Sequence, residues 1–265
     1  MNSPAAPAAG HARRHAVFLA LLRRDLSERH QGSLLGIGWN LLQPLLQLAV
    51  LSLVFTHLLP ARSATGDVPY AAFLALGLWP WQVFANALTR GTTALTDNAA
   101  LIGKVALPHT LYVLARVLGS VLPDLAGMVL VLIAIAAFGV PLHLPGLPLA
   151  ALAVLIVLAY GLAAAWVAAV LQVFLRDVGF AVGQLLTLGF FLSPVLYDRT
   201  QLPEPFASML GFNPLAPPIE AIRASLLGLP VPATALGASA ALAVLALLFA
   251  RRLFARAQPH VEDFL

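Results

Sequence analysis

The stretch from Leu34 to Leu59 contains no Asp, Glu, Lys or Arg and directly follows an arginine-rich segment. A helix crosses the roughly 30 Å hydrocarbon core of a bilayer with about 20 apolar residues, so this stretch is long enough to span a membrane. Five arginines precede it, at positions 13, 14, 23, 24 and 29. Because Lys and Arg collect on cytoplasmic flanks, the sequence predicts a cytoplasmic N-terminus.

The composition agrees with a membrane protein. Hydrophobic residues make up 60% of the chain and charged residues 10%, and the mean hydropathy is +0.90, whereas charged residues are about 25% of soluble domains. The net charge of +4 also fits nucleic-acid binding, but the basic residues lie beside apolar segments, which favours anionic lipid headgroups. The absence of cysteine excludes disulfides and thiolate chemistry.

Six segments qualify as spans, and they predict an all-α integral membrane protein with both termini in the cytoplasm. In this arrangement eleven Lys and Arg residues lie on the inner side and three on the outer side, and Arg116 lies within the third span. This asymmetry satisfies the positive-inside rule. The predicted spans cover about residues 35–59, 70–89, 111–138, 149–173, 178–197 and 231–250 of a domain at 34–256, which a cytoplasmic tail at 257–265 follows.

The N-terminal region divides into two parts. Residues 1–15 are rich in Ala and Pro without an apolar core, which predicts a disordered tail and no cleavable signal peptide. Residues 16–33 place apolar side chains at spacings of three and four opposite charged ones, as in a helix that lies in the headgroup plane. An ordinary solvated helix is the alternative interpretation.

Polar residues inside the predicted spans need partners, because hydrocarbon offers none. The first span carries a polar stripe on adjoining faces, which fits either helix packing or a substrate surface: Trp39, Asn40, Gln43 and Gln47. Asp124, in the third span, either pairs with Arg116 or a neighbouring helix, or touches substrate. The sequence Trp-Pro-Trp at 79–81 predicts a kink with interfacial or pore aromatics.

Two segments outside the spans have helical character. The cytoplasmic segment 90–109 contains Asp97 as a helix N-cap, the chain's only lysine, Lys104, and a stop at Pro108. It predicts a short helix at about 97–107 that another protein can hold. The outer segment 198–229 is proline-rich yet apolar, and it predicts two short helices at about 203–227 that dip into the outer leaflet.

The sequence lacks the common motifs of catalysis. It has no GxxxxGK[ST], GxSxG or HExxH, so it predicts neither a nucleotide-binding loop nor a hydrolase or zinc site. His11 and His15 flank two arginines and do not indicate a metal site. The chain is therefore expected to have no catalytic residue, metal or cofactor of its own.

A series of short motifs runs through the chain in a specific order. They are Arg24-Asp25, Gly32 to Gly36, Trp39 and Pro44; Gly77, Trp81 and Phe84; Asn98, Leu101, Ile102, Lys104 and Pro108; Arg176-Asp177; Ser193 to Tyr197; and Asn213 to Leu215 with Glu220 and Arg223. Over about residues 23–256 the chain thereby resembles the ABC-2 type transporter permeases that export O-antigen, capsule or teichoic acid.

The resemblance implies a homodimer paired with two copies of a separate ATPase, which would bind ATP and Mg²⁺, in the bacterial inner membrane, with a lipid-linked polysaccharide as cargo. It also implies residue roles. Coupling to the ATPase falls to Asn98, Leu101, Ile102, Lys104 and Pro108; the interfacial entry to Arg24, Asp25, Arg29, Ser33 and Trp39; the channel or gate to Phe191, Ser193, Pro194, Tyr197, Asn213, Glu220 and Arg223; and intramembrane polar contacts to Gln43, Arg116 and Asp124.

Three alternatives remain at this point. A small-molecule or drug exporter would share the architecture and differ in cargo. An ion-driven secondary transporter would show inverted repeats and charged mid-membrane sites, of which only Asp124 is a sign. A membrane enzyme acting on lipid-linked sugars would need clustered carboxylates or histidines, and none is evident.

Overall fold

The structure, a computed structural model, describes residues 6–28, 38–54, 68–102, 104, 107–199, 202–261 and 264. Its secondary structure in these ranges is helical. The α-helices are α1 (Ala6–Glu28), α2 (Gly38–Leu53), α3 (Tyr70–Thr92), α4 (Ala99–Ile102), α5 (His109–Ala137), α6 (Leu147–Phe174), α7 (Val178–Phe191), α8 (Phe206–Gly211), α9 (Ala216–Leu226) and α10 (Ala233–Val261), with short 3₁₀ turns at Thr96–Asn98 and Leu144–Gly146.

The all-helical membrane fold is confirmed. Four helices in the described part of the chain, α3, α5, α6 and α10, are long and apolar enough to cross a membrane. They correspond to the second, third, fourth and sixth predicted spans. The apolar helices at the first and fifth predicted spans are shorter, Leu42–Leu53 and Val178–Phe191.

Helices α3 and α6 form the centre of the bundle. Helix α3 packs on α5, α6, α7 and α9, and α6 also packs on α9 and α10. Small residues let the two central helices approach closely: a Cβ on Gly161 would lie 3.0 Å from the Cβ of Ala87, and one on Gly91 would overlap Ala165. Close approach of this kind supplies the dispersion contacts that hold membrane helices together.

The core consists of two clusters along the bundle. The outer cluster joins α3, α6, α9 and the segment after α7 around Trp79, Trp81 and Ile219. The inner cluster joins the C-terminal part of α3, the N-terminal part of α5 and the C-terminal part of α6 around Tyr112, and Val17 and Leu21 of α1 pack against it. Helix α1 is thus attached to the bundle by an apolar face.

Several boundaries differ from those predicted from sequence. Helix α1 begins at Ala6, so residues 6–15 are helical rather than disordered; alanine is the strongest helix former, and Pro7 is tolerated in the first turn. Helix α10 continues to Val261, through most of the predicted tail. In the segment predicted as a helix at about 97–107, the described helix extends only to Ile102, and Gly103, Val105 and Ala106 lie outside the described residues.

The predicted location of the Trp-Pro-Trp side chains is wrong. Trp79 and Trp81 are buried in the core, and therefore are neither interfacial anchors nor pore aromatics. Trp81 packs against Phe190 with ring centroids 6.0 Å apart.

The fifth span was predicted to reach Tyr197, but α7 ends at Phe191. Pro194 cannot donate a helical hydrogen bond, and side chains from other segments occupy the carbonyl oxygens beyond Phe191.

Candidate functional site

Four charged side chains meet at the end of the bundle where α3 ends and α5 begins, and we call them the inner ion-pair cluster: Asp25 of α1, Arg90 of α3, Asp97 of the 3₁₀ turn and Arg116 of α5. Arg116 donates from Nη1 to Oδ1 of Asp25 and from Nη2 to Oδ2 of Asp97. Arg90 Nη2 lies 3.3 Å from the same Oδ1 of Asp25. The charges therefore alternate along a chain of contacts, which offsets the cost of their burial.

The backbone of α5 makes room for this cluster. Asp25 lies against Gly119, where a Cβ would be only 3.1 Å from the carboxyl carbon of Asp25 and would overlap Oδ2. A cavity of about 30 Å³ adjoins the cluster and is lined by residues that include Leu21, Asp97 and Arg116. A cavity of this volume is large enough for one ordered water. Glycine one turn beyond Arg116 is thus what lets α1 approach α5.

The segment after α3 contains both buried and exposed residues. Ile102 is buried in the inner core cluster and Leu101 packs against it, whereas Lys104 and Pro108 are exposed. Asn98 donates to the carbonyl of Ala94 at 2.8 Å, which holds the turn in place. Of the five residues predicted to couple to an ATPase, Ile102 is therefore buried, Asn98 and Leu101 are partly buried, and Lys104 and Pro108 are exposed.

Asp97 differs from its predicted role as an N-cap. Its carboxylate accepts hydrogen bonds from Arg116 and, at 2.8 Å, from the hydroxyl of Thr93. The side chain thus connects the turn to α5 and to the end of α3. Sequence alone carried no signal for this contact with Arg116, because the two residues lie on different elements.

The residues predicted for the entry lie along α1 and α2. Arg24 is exposed and lines the small cavity beside Asp25, while Trp39 is 49% exposed. Gln43, on the same helix as Trp39, is also exposed. Arg29 and Ser33 lie outside the described residues.

The polar residues within the bundle pair between helices. Asp124 accepts a hydrogen bond of 2.8 Å from Asn86 on the neighbouring helix α3. Gln82, also on α3, donates to Gln47 of α2 at 2.9 Å. These contacts correspond to the packing interpretation of both the first-span stripe and Asp124. Asn86 was not identified from sequence, because an isolated amide in an apolar span does not indicate its partner.

A second polar site lies at the other end of the bundle, and we call it the outer clamp. The buried guanidinium of Arg223, on α9, donates to the carbonyls of Phe73 at 3.0 Å, of Val195 at 2.6 Å and of Pro194. Its Cζ lies 3.8 Å from the centroid of the Phe73 ring. The clamp therefore joins α3, α9 and the turn after α7.

Burial lowers the pKa of Arg223 to about 10, which keeps the guanidinium charged at neutral pH. A charged donor makes stronger hydrogen bonds than a neutral one, and three carbonyls share this donor. Removal of the guanidinium would leave those three acceptors without their partner. Arg223, predicted as a channel or gate residue, is thus a buried contact between helices.

Asn213 makes a parallel connection beside the clamp. Its amide donates to the carbonyl of Leu192 and to the hydroxyl of Ser193, both at 2.9 Å. Its oxygen accepts from the backbone of Leu215, also at 2.9 Å. The predicted gate residues Ser193 and Asn213 therefore hold the turn after α7 against the start of α9.

The remaining predicted gate residues lie at the surface of this region. Phe191 and Tyr197 line an apolar cavity of about 540 Å³ together with Asn213. Glu220 lies 4.0 Å from Arg199. Burial raises the pKa of the Glu220 carboxyl above its ordinary value of 4.5, although the charge of Arg199 opposes this shift. Of the predicted set, Phe191, Tyr197 and Asn213 line this cavity, whereas Glu220 lies beside Arg223 at another one.

The four long apolar helices of the described part of the chain define a multi-pass helical membrane protein, and the sequence contains no nucleotide-binding loop. Residues 16–227 match the ABC-2 type transporter family, and the chain belongs to it. It is 32% identical over 203 residues to an O-antigen export system permease protein RfbA of Myxococcus xanthus, covering 75% of each chain. It is also 27% identical to a protein of the same name from Klebsiella pneumoniae, covering 76% of each chain.

Proposed function

We propose that this chain is the permease subunit of an ATP-driven exporter that moves a lipid-linked polysaccharide, such as O-antigen or capsule, across the bacterial inner membrane. The observation that carries the proposal is the similarity to O-antigen export permeases along three-quarters of the chain. The chain has no phosphate-binding loop of its own, so a separate ABC ATPase supplies the energy and binds ATP and Mg²⁺.

The working assembly is a homodimer of this chain with two ATPase subunits. Each chain contributes six spans, with α2 and α7 in the first and fifth positions and both termini in the cytoplasm. The apolar surfaces of α7 and α10 support contact with lipid or a second copy, since Phe180 and Phe249 are strongly exposed.

The segment after α3 is the docking site for the ATPase. Its buried residue Ile102 transmits force to the inner core cluster, and its exposed Lys104 is available to a partner. Closure of the ATPase pair pushes on this segment, and the two copies of α2 and α7 move to open a path. Helices transmit such a push because their backbone hydrogen bonds are internally satisfied.

The outer cavity at Phe191 and Tyr197 supplies the aromatic surface of the path. Phe191 is 57% exposed, and the hydroxyl of Tyr197 donates to the carbonyl of Phe191, which holds its ring at the cavity. The apolar faces of sugar rings pack on such aromatic side chains while the hydroxyl groups stay hydrated. The short helices α8 and α9 form the gate on the outer side, and the clamp keeps α9 attached to α3.

The test is a charge reversal at the docking segment. Lys104→Glu is expected to abolish export and co-purification of the ATPase while the amount of permease in the membrane stays at the wild-type level, because Lys104 is exposed. Export would be measured as surface polysaccharide in a strain that lacks its own exporter. Arg256→Glu makes the same charge change at another exposed cytoplasmic position and serves as the control.

A proline at Ile102 is a second variant, expected to abolish export by breaking α4, but Ile102 is buried and its loss also affects folding. Lys104→Glu is therefore the cleaner change. Normal export by Lys104→Glu, or transport by the permease in vesicles without any ATPase, would contradict the proposal. Export of a small molecule with no polysaccharide at the surface would favour the drug-exporter alternative.

A further inference from the structure

The inner ion-pair cluster places one guanidinium between the helix at the membrane surface and the segment that docks the ATPase. Arg116 Nη1 contacts Asp25 of α1, and Arg116 Nη2 contacts Asp97 of the coupling segment. The guanidinium fork is planar and rigid, so one of its nitrogens cannot be displaced without turning the other. A displacement of Asp97 therefore changes the contact at Asp25.

We propose that Asp97 and Arg116 form a relay that makes α1 move with the coupling segment, so that one push from the ATPase reaches both. The proposal rests on the proposed function, in which the segment after α3 is the docking site. Asp97 acts here as a positioning residue, and the helix that it positions is α1. The consequence is that the entry side of the exporter responds to nucleotide without touching the ATPase.

The burial of the three side chains increases from the cytoplasm inward. Asp97 is 43% exposed, Arg116 is 12% exposed and Asp25 is 4% exposed. The inner pair is therefore firmly held, because removing one partner of a buried pair leaves an uncompensated charge. The outer pair is exposed to water and contributes little to folding stability. A relay needs both properties: the Asp25–Arg116 pair has to stay together, and the Arg116–Asp97 pair has to be able to separate and form again.

Residues next to the relay hold Asp25 and Asp97 in position. Arg90 lies 3.3 Å from Asp25 and belongs to α3, whose C-terminal end leads into the coupling segment. The hydroxyl of Thr93 donates to Asp97 at 2.8 Å, which orients the carboxylate toward Arg116. Because Gly119 has no side chain, the Asp25 carboxylate has room to lie against α5. Each of these contacts connects α1 or the coupling segment to a long span.

The difference in exposure makes Asp97→Asn the decisive variant. It has nearly the same shape, keeps an oxygen for Thr93, and removes only the charge that Arg116 holds. We expect wild-type amounts in the membrane and wild-type co-purification of the ATPase, with export about tenfold lower, within the range of coupling energies between distant sites. ATP hydrolysis by the complex should continue, so that the two activities separate.

Two companion variants define the pathway. Asp97→Glu keeps the carboxylate and should restore most of the export. Arg116→Lys keeps the charge beside Asp25 but lacks the fork, and it should reduce export to the level of Asp97→Asn. The double variant Asp97→Asn with Arg116→Lys should be no worse than either alone, because both changes interrupt the same contact.

A spectroscopic measurement separates a relay from a merely structural contact. The chain has no cysteine, so Ala20→Cys on the exposed side of α1 can carry a single fluorophore in the complete complex with its ATPase. Trapping the ATPase with vanadate should change the fluorescence in the wild-type background. The same label should not respond when Asp97 is replaced by Asn.

The outcomes are distinct. If Asp97→Asn exports like the wild type, or if its α1 label still responds to vanadate, the relay is refuted while the proposed function stands. If Asp97→Asn loses the ATPase on purification, Asp97 is a docking contact and the relay is again refuted. If the wild-type complex neither exports polysaccharide nor responds to vanadate, the proposed function fails and the relay fails with it.

Discussion

Gly77 faces the outer clamp from α3, and replacing it with alanine should break the clamp without touching Arg223. A Cβ at this position would lie 2.7 Å from Cζ of Arg223 and would overlap Nη2. The guanidinium cannot simply rotate away, because Phe73, Pro194 and Val195 hold it by their carbonyls and the ring of Phe73 covers it. Gly77→Ala therefore forces the charged group off its acceptors.

The expected loss in the free energy of unfolding follows from the hydrogen bonds that Gly77→Ala would break or weaken. Hydrogen bonds to a charged group contribute about 1.5–3 kcal/mol each. Displacement of Nη2 removes the bond to Val195 and, because the fork is planar, weakens at least one of the other two. We expect Gly77→Ala to lower the free energy of unfolding by about 2–5 kcal/mol, against which the gain in helix propensity of about 1 kcal/mol is small.

The assay is reversible unfolding of the purified permease in mixed micelles of increasing denaturing detergent, followed by circular dichroism. Gly237→Ala is the matched control, because Gly237 is also helical and a Cβ there meets no atom within 4 Å. The control should be as stable as the wild type or more so. If Gly77→Ala unfolds at the same detergent fraction as Gly237→Ala, the clamp does not stabilise the outer region and our reasoning is wrong.

Two further predictions use the same unfolding assay. Asn86→Leu removes the donor to Asp124 and should destabilise the bundle by about 0.6 kcal/mol, the average for interhelical hydrogen bonds in membranes, and by no more than about 1.7 kcal/mol; an unchanged midpoint would contradict a packing role. Burial raises the pKa of Glu220 above 4.5, so the folded state binds this proton more tightly than the unfolded state. Stability should therefore fall as the pH rises from 4.5 through the folded-state pKa, and Glu220→Gln should remove that part of the pH dependence. A wild-type profile in the Glu220→Gln protein would refute the assignment.

The positions of the long helices were predictable from hydropathy. Apolar length and the inner excess of Lys and Arg are properties of contiguous sequence, and α3, α5, α6 and α10 correspond to predicted spans within a few residues at most ends. The short outer helices followed from the prolines around them in the same way. What these elements share is that local composition determines them.

Contacts between elements were not predictable. Pairing with Asp124 was one of the alternatives for Arg116, and its contacts in the structure include Asp25 and Asp97 on other elements. Arg223 was predicted as a channel or gate residue, and the sequence did not indicate that it is buried and donates to the carbonyl of Phe73. Spacing along a helix predicts which residues share its face, but it carries no information about which helix packs there.

The end of α7 shows how such contacts also move a boundary. The apolar run continues to Tyr197, so hydropathy extends the helix, whereas Asn213 and Arg223 take the carbonyls of Leu192, Pro194 and Val195. An acceptor that a distant side chain satisfies no longer needs a helical partner. The correct boundary therefore required the tertiary structure.

Helix α3 touches each of the polar sites described above. Gly77 lies at the outer clamp, Asn86 pairs with Asp124 in the middle, and Arg90 belongs to the inner ion-pair cluster. Of the four long spans it is also the most buried, and α10 is the least buried. A helix that moved would have to exchange its packed contacts, and interiors resist this because they are close-packed. Under the proposed function we therefore expect α3 to keep its position during transport, while α2 and α7, which have fewer buried residues, are displaced.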